Sequence, residues 1–165
     1  MANLKTIYLA GGCFWGLEEL VRQLPGVTDT EVGYTGGTID NPDYSNHLGY
    51  AEALAITYDT DKTTYKALLD FFFRAHDPST LNRQGNDTGS SYRSAIFYQD
   101  EIELAEAKEM IGIVDASGLY AGPAVTTLEK FTKFYTAEDY HQDYLRHNPT
   151  GYTCHFIRTT KSLLS

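Results

Sequence analysis

The chain has 165 residues, 42% of them hydrophobic, two cysteines and a formal net charge of −9. That length supports a core without disulfide or metal staples and reads as a single domain, residues 1–165. The acidic balance excludes nucleic acid or an anionic membrane as the main partner, no apolar run approaches a membrane span, and "MANLKTIYLAGG" is too short for a secretory signal.

The first predicted element is a short buried strand, Ile7 to Ala10. Gly11 and Gly12 break it, and Leu17, Leu20, Val21 and Leu24 then recur at helical spacing until Pro25-Gly26. Cys13 therefore falls in a strand-to-helix turn, where free N–H groups and the helix dipole are expected to lower a thiol pKa. Gly11, Gly12 and Gly16 let the backbone bend and leave the sulfur approachable. Phe14 and Trp15 at such a turn suggest an apolar wall against which a small group docks.

"DTEVGYTGG" reads as a strand ending in a Gly-rich turn, and "TIDNPDYSNHLGY" as a loop. "AEALAITYD" alternates, with Ala51, Ala53, Ala55 and Thr57 on one side and Glu52, Leu54, Ile56 and Tyr58 on the other. A helix follows from Thr63 to His76, stopped by Pro78. The polar loop "STLNRQGNDTGSSY" leads into the strand "RSAIFY", and an Arg83–Asp87 pair is expected to brace that loop. A helix is predicted from Asp100 to about Ser117, and "AVTTLEKFTKFY" as one irregular strand. "TAEDYHQDYL" reads as a short helix capped by Thr136, and "RHNPTGYTCHF" as a loop carrying Cys154. This order fits a two-layer α+β sandwich on a mainly antiparallel or mixed sheet, with a doubly wound parallel sheet as the alternative.

Two distant cysteines fit a reducing cytoplasm, where such a pair is more often redox-catalytic than structural. No CxxC, HExxH or similar spacing appears, so no metal is expected. Glu52, a carboxyl at the head of an apolar strand, would have a raised pKa if buried and would suit a general acid.

The segments GCFWG, GYTGG, NPDY, GYAE, HDPS, NRQGNDTGSSYRSAIFY and YHQDYLRHNPTGY follow one another from about residue 6 to residue 152. Together they resemble the type A peptide methionine sulfoxide reductase family. The resemblance implies a ferredoxin-like α+β sandwich with added helices and loops. It also implies reduction of the S epimer of methionine sulfoxide, free or in proteins, through a cysteine sulfenic acid and without a cofactor. By matching positions, Cys13 is the nucleophile, and Phe14 and Trp15 hold the substrate methyl group. Glu52 protonates the sulfoxide oxygen, and Tyr44 and Tyr92 donate hydrogen bonds to it. Asp87 orients the loop and the substrate backbone, and Tyr152 contributes to substrate binding. Cys154 is the implied resolving cysteine, with thioredoxin or another thiol as reductant and a cytoplasmic monomer as the expected form.

The chain also departs from the family. The loop between Tyr44 and Glu52 is short, and Tyr50 replaces the usual histidine before Ala-Glu. The Gly-rich tail with two recycling cysteines is absent, and Cys154 lies one residue from the position of a GYC-type resolving cysteine. Two rival readings are a thiol hydrolase using His76 or His141 as base, and a non-enzymatic redox sensor or peptide-binding module.

Overall fold

In a computed structural model that describes residues 3–164, β1 (Leu4–Gly11) runs through the middle of a six-stranded sheet. It lies antiparallel to β3 (Ala51–Asp59) on one side and to β6 (Ser94–Tyr98) on the other. β2 (Val27–Thr35) pairs antiparallel outside β3, and β8 (Phe134–Thr136) antiparallel outside β2. Only β7 (Thr127–Lys130) runs parallel to its neighbour, β6. The order β7-β6-β1-β3-β2-β8 excludes the parallel doubly wound alternative and leaves a mixed, mainly antiparallel sheet.

Strand alternation sorts the side chains as the sequence predicts. Ile7, Leu9, Leu54, Ile56 and Ile96 join α1 (Phe14–Val21), α2 (Tyr65–Ala75) and α3 (Glu101–Ser117) in one core. Glu52, two residues before Leu54, falls on this helix-covered face. The opposite face carries Ala10, Ala51, Ala53 and Ala95. α1 starts directly after Cys13, at the strand-to-helix turn the sequence predicts, and ends at Val21, before the expected Leu24. Asp100 caps α3 by accepting the Glu103 N–H at 2.8 Å, and Gly118 closes it in the left-handed region at φ +71°.

Two expectations fail. "AVTTLEKFTKFY" forms β7 and β8 at opposite edges of the sheet, and the chain between them crosses the alanine face. Phe131 stacks on Tyr8 with ring centroids 4.0 Å apart, a close approach that the small alanines permit. "TAEDYHQDYL" is not one helix: Thr136 ends β8, a single 3-10 turn spans Asp139–His141, and α4 covers only Tyr144–His147. Asp143 interrupts it in the left-handed region, at φ +53°. Its carboxylate pairs with Arg22, and its N–H donates at 2.8 Å to the buried Glu18, so tertiary bonds override local helix propensity. The loop after α2 also contains an unpredicted hairpin of β4 (Arg83–Gln84) and β5 (Asp87–Thr88).

The glycines around Cys13 are explained by what packs against them. A Cβ on Gly11 would lie 2.9 Å from the Phe72 ring, and one on Gly12 (φ +96°) would lie 2.6 Å from the Gln84 side chain. The tail beyond α4 runs over the first turn of α1. A Cβ on Gly16 would lie 2.2 Å from Thr153 Oγ1 and 2.5 Å from His155 Nδ1. Gly16→Ala is therefore expected to cost about 1–3 kcal/mol, read as a lower urea midpoint. An unchanged midpoint would mean the tail moves aside freely.

Candidate active site

Cys13 is the N-cap of α1 and is only 6% exposed. The first free amide of that helix, the Phe14 N–H, donates to Glu52 Oε1 at 3.3 Å, while the Cys13 side chain makes no capping hydrogen bond. Burial raises the Glu52 pKa to about 8, against the Phe14 N–H, which lowers it, with Asp87 raising it further. The carboxyl is thus protonated at neutral pH, as a general acid requires. Its other oxygen, Oε2, is buried and has no hydrogen-bond partner.

The thiol departs from expectation. Burial, then the charge of Glu52, hold the Cys13 pKa well above the ordinary thiol range, and the Trp15 N–H offsets only part of this. The helix terminus is present, but desolvation outweighs it.

The aromatic wall has two layers. Phe14 is fully buried and packs on Tyr34 and His141, with ring centroids 5.8 and 5.2 Å away. Trp15, partly buried, stacks on Tyr144 at 3.8 Å and faces Tyr44 at 6.5 Å. Phe14 backs the wall, and Trp15 and Tyr44 carry its more open part. The indole N–H donates to His141 Nδ1 at 2.9 Å, which fixes the ring. His141 Nε2 is buried without a partner, and burial keeps the imidazole pKa low.

Glu138, which drew no attention in the sequence, positions Tyr44. It accepts the Tyr34 hydroxyl at 2.9 Å and the Tyr44 N–H at 3.1 Å. Tyr44 and Tyr92 lie close enough to affect each other's ionisation. Burial, then the charge of Glu52, raises both phenol pKa values, so both remain O–H donors.

Asp87 stands on β5 and acts electrostatically on Cys13, Glu52, Tyr44 and Tyr92. Its Oδ2 accepts the Tyr152 hydroxyl at 3.2 Å and lies 3.9 Å from Cys154 Sγ. The expected Arg83–Asp87 pair does not form; Arg83 donates instead to the Gly85 carbonyl at 3.1 Å. Cys154 is a free, part-buried thiol lying against Gly85 at the hairpin turn, where an added Cβ would come within 2.8 Å of its own. Tyr50, in place of the usual histidine, is buried and tied through its hydroxyl to the Ile39 carbonyl. Glu52 is only 1% exposed, so the substitution leaves the carboxyl screened from water.

The hydrolase alternative loses its bases. His76 is committed to the Phe72 carbonyl at 2.6 Å and to Ser94 Oγ at 2.8 Å, while His141 Nδ1 is taken by Trp15. No helix among the described residues is long and apolar enough to cross a membrane.

Comparison with known proteins agrees with this geometry. The chain is 55% identical over 158 residues to the peptide methionine sulfoxide reductase MsrA of Nocardia farcinica, covering 96% of this chain and 93% of that protein. The crystal structure of reduced Mxr1 from Saccharomyces cerevisiae superposes with a TM-score of 0.88 at 38% identity, covering 94% of this chain and 93% of that one. The same yeast protein in complex with Trx2 gives a TM-score of 0.65 at 27% identity, covering 94% of this chain and 91% of that one. The family model described as "Peptide methionine sulfoxide reductase" matches residues 5–164, and the chain belongs to that family.

Proposed function

We propose that this chain reduces the S epimer of methionine sulfoxide, free and in proteins, to methionine, with Cys13 as nucleophile. The observation that carries the reading is the shared N-terminus of α1. There the Phe14 N–H holds a protonated carboxyl next to a buried thiol and an aromatic wall.

A sulfoxide oxygen leaves sulfur only when it is protonated. The Glu52 proton and the O–H groups of Tyr44 and Tyr92 supply neutral donors to it, with no carboxylate charge facing it. The substrate methyl group rests on Trp15, held by His141 and backed by Phe14. Cys13 sulfur attacks the substrate sulfur and takes over its oxygen as a sulfenic acid. The substrate sulfur is reduced by two electrons and Cys13 is oxidised by two. The proton that Cys13 gives up restores the one Glu52 donated. Asp87 and Tyr152 bind the substrate backbone at the rim.

Cys154 then attacks Cys13 sulfur, forming a disulfide and releasing water. A thioredoxin reduces that disulfide; the complex of yeast Mxr1 with Trx2 supports this choice of partner. The β1-α1-β2-β3-α2-β6 succession with order β6-β1-β3-β2 supports a ferredoxin-like core within the larger sheet. We further read the protein as a single catalytic domain, a cytoplasmic monomer serving in repair of oxidised proteins.

An assay with dithiothreitol on separate S and R epimers of a blocked methionine sulfoxide should show S-selective turnover that Cys13→Ser abolishes. Turnover of neither epimer by folded protein would overturn the reading. Glu52→Gln should slow methionine release by roughly 10²–10⁴-fold. The Glu52 proton is held below about 8 and lost above it. The wild-type rate of methionine release should therefore fall as pH rises through that value, and Glu52→Gln should lack this fall. The same raised pKa makes the fold less stable with increasing pH between the ordinary carboxyl value and about 8. Glu52→Gln should accordingly show a higher Tm than wild type on the alkaline side, and an equal or lower one would contradict a buried, protonated Glu52. Finally, substoichiometric substrate followed by non-reducing mass measurement should give a Cys13–Cys154 disulfide in wild type and none in Cys154→Ser.

A further inference from the structure

We propose that His155 is the proton acceptor for Cys154 in the step that resolves the Cys13 sulfenic acid, and that the same ring holds the tail in place for it. The proposal rests on Cys154 as the resolving thiol.

The ring is fixed at one end. His155 Nε2 lies 2.6 Å from the carbonyl oxygen of Gly11, at the end of β1 two residues before Cys13. A carbonyl only accepts, so Nε2 carries the hydrogen. The imidazole is nearly inaccessible, and burial drives its pKa down to about 4, with the nearby Arg158 further opposing a second positive charge. A neutral ring with hydrogen on Nε2 has a free lone pair on Nδ1. That nitrogen lies 3.9 Å from Cys154 Sγ. The Gly11 carbonyl thus selects the tautomer that turns a base toward the thiol, as hydrogen bonds to the far nitrogen do for histidine ligands and catalytic bases.

The remaining polar neighbours do not offer an equivalent acceptor. Cys154 Sγ also donates to Asp87 Oδ2 at 3.9 Å, an oxygen it shares with the Tyr152 hydroxyl at 3.2 Å. The Asp87 charge also raises the thiol pKa, second to burial. The Thr153 hydroxyl accepts the His155 N–H at 3.1 Å and braces the backbone. His76, on the far side of Gly11, is occupied by Phe72 and Ser94. Transfer to His155 leaves a positive charge beside the nascent thiolate, whereas transfer to Asp87 leaves only a neutral acid there.

The step balances without an outside oxidant. Cys154 sulfur attacks Cys13 sulfur, the S–S bond forms, and the S–O bond of the sulfenic acid breaks. The thiol proton passes to Nδ1 and then to the departing hydroxide, which leaves as water. Cys154 is oxidised by the amount that Cys13 is reduced. Gly16 fits the same arrangement, because only a residue without Cβ admits His155 Nδ1 and Thr153 Oγ1 against the first turn of α1.

His155→Gln provides the test, since its terminal amide can still donate to the Gly11 carbonyl but offers no base. Reduced protein is mixed with one equivalent of the S epimer of methionine sulfoxide without reductant and quenched over time. Methionine and the Cys13–Cys154 disulfide are quantified in each sample across a range of pH. In wild type the disulfide should follow methionine closely. In His155→Gln it should lag by at least about tenfold relative to methionine release in the same reaction. The lag should shrink as pH rises and the thiol ionises unaided, and the sulfenic acid should accumulate meanwhile. A disulfide that keeps pace in the variant would overturn the proposal. So would equal slowing of both steps at every pH, which assigns His155 to packing alone. Wild type that releases methionine but forms no disulfide would instead remove the resolving role of Cys154, and this proposal with it.

Discussion

The N-terminus of α1 is the constraint on which the rest of the site depends. A helix presents its first amides without intrahelical partners, and they must be satisfied by something. Here the Phe14 N–H goes to Glu52, directly beside the Cys13 cap. That bond ties the start of α1 to the head of β3 and sets the thiol and the carboxyl side by side through the backbone. The same short turn carries the buried Phe14 and the partly buried Trp15, so one terminus brings thiol, carboxyl and aromatic wall together.

Everything packed around that turn must then come close to backbone, which is why glycine recurs there. Gln84 from the β4–β5 hairpin closes on Gly12, Phe72 and His76 from the end of α2 close on Gly11, and the tail closes on Gly16. The hairpin and the tail meet each other as well. Asp87 Oδ2 takes the Tyr152 hydroxyl and approaches Cys154, whose Cβ rests against Gly85. The segment that carries the second thiol is therefore held by the loop that carries Asp87, and by a histidine reaching back to β1.

Local signals in the sequence were enough for the strands that alternate and the helices with clear caps. β3 could be read from its alternation alone, down to the face on which Glu52 falls, α2 from its spacing, with the start at Thr63 one residue before the Thr64 cap, and α3 from Asp100 to Ser117. The 127–136 segment could not, because its break is caused by the alanine face it crosses, which exists only once β1, β3 and β6 are paired. Asp143 is likewise held left-handed by Glu18 and Arg22, more than a hundred residues away in the chain. Residues in named motifs, from Cys13 to Tyr152, could be picked out one by one. Glu138 and His155 could not, since each acts by holding a neighbour, Tyr44 and the Gly11 carbonyl, and His141 could be read only as a candidate base, whereas it holds Trp15. Only the spacing Glu138-x-x-His141, beside Tyr140 and Tyr144, hinted at a polar group inside an aromatic cluster.

The raised thiol pKa is the point at which sequence logic and structure pull apart, and the difference has a mechanistic use. A helix terminus favours a thiolate, yet burial and a neighbouring carboxyl oppose one more strongly. Two negative charges cannot both be held in this volume, so the resting site keeps Cys13 and Glu52 protonated and uncharged. In the proposed reaction a sulfoxide changes that balance, because its polar S–O bond offers an acceptor for the Glu52 proton and an electrophilic sulfur for the thiol. Charge would then develop on Cys13 only as the carboxyl proton is engaged, at the helix terminus that favours it. A thiol kept protonated until its substrate arrives is a poor target for peroxide, because oxidation proceeds through the thiolate. In the proposed reaction, the burial that makes Cys13 look unreactive at rest would reserve it for a substrate able to accept a proton from Glu52.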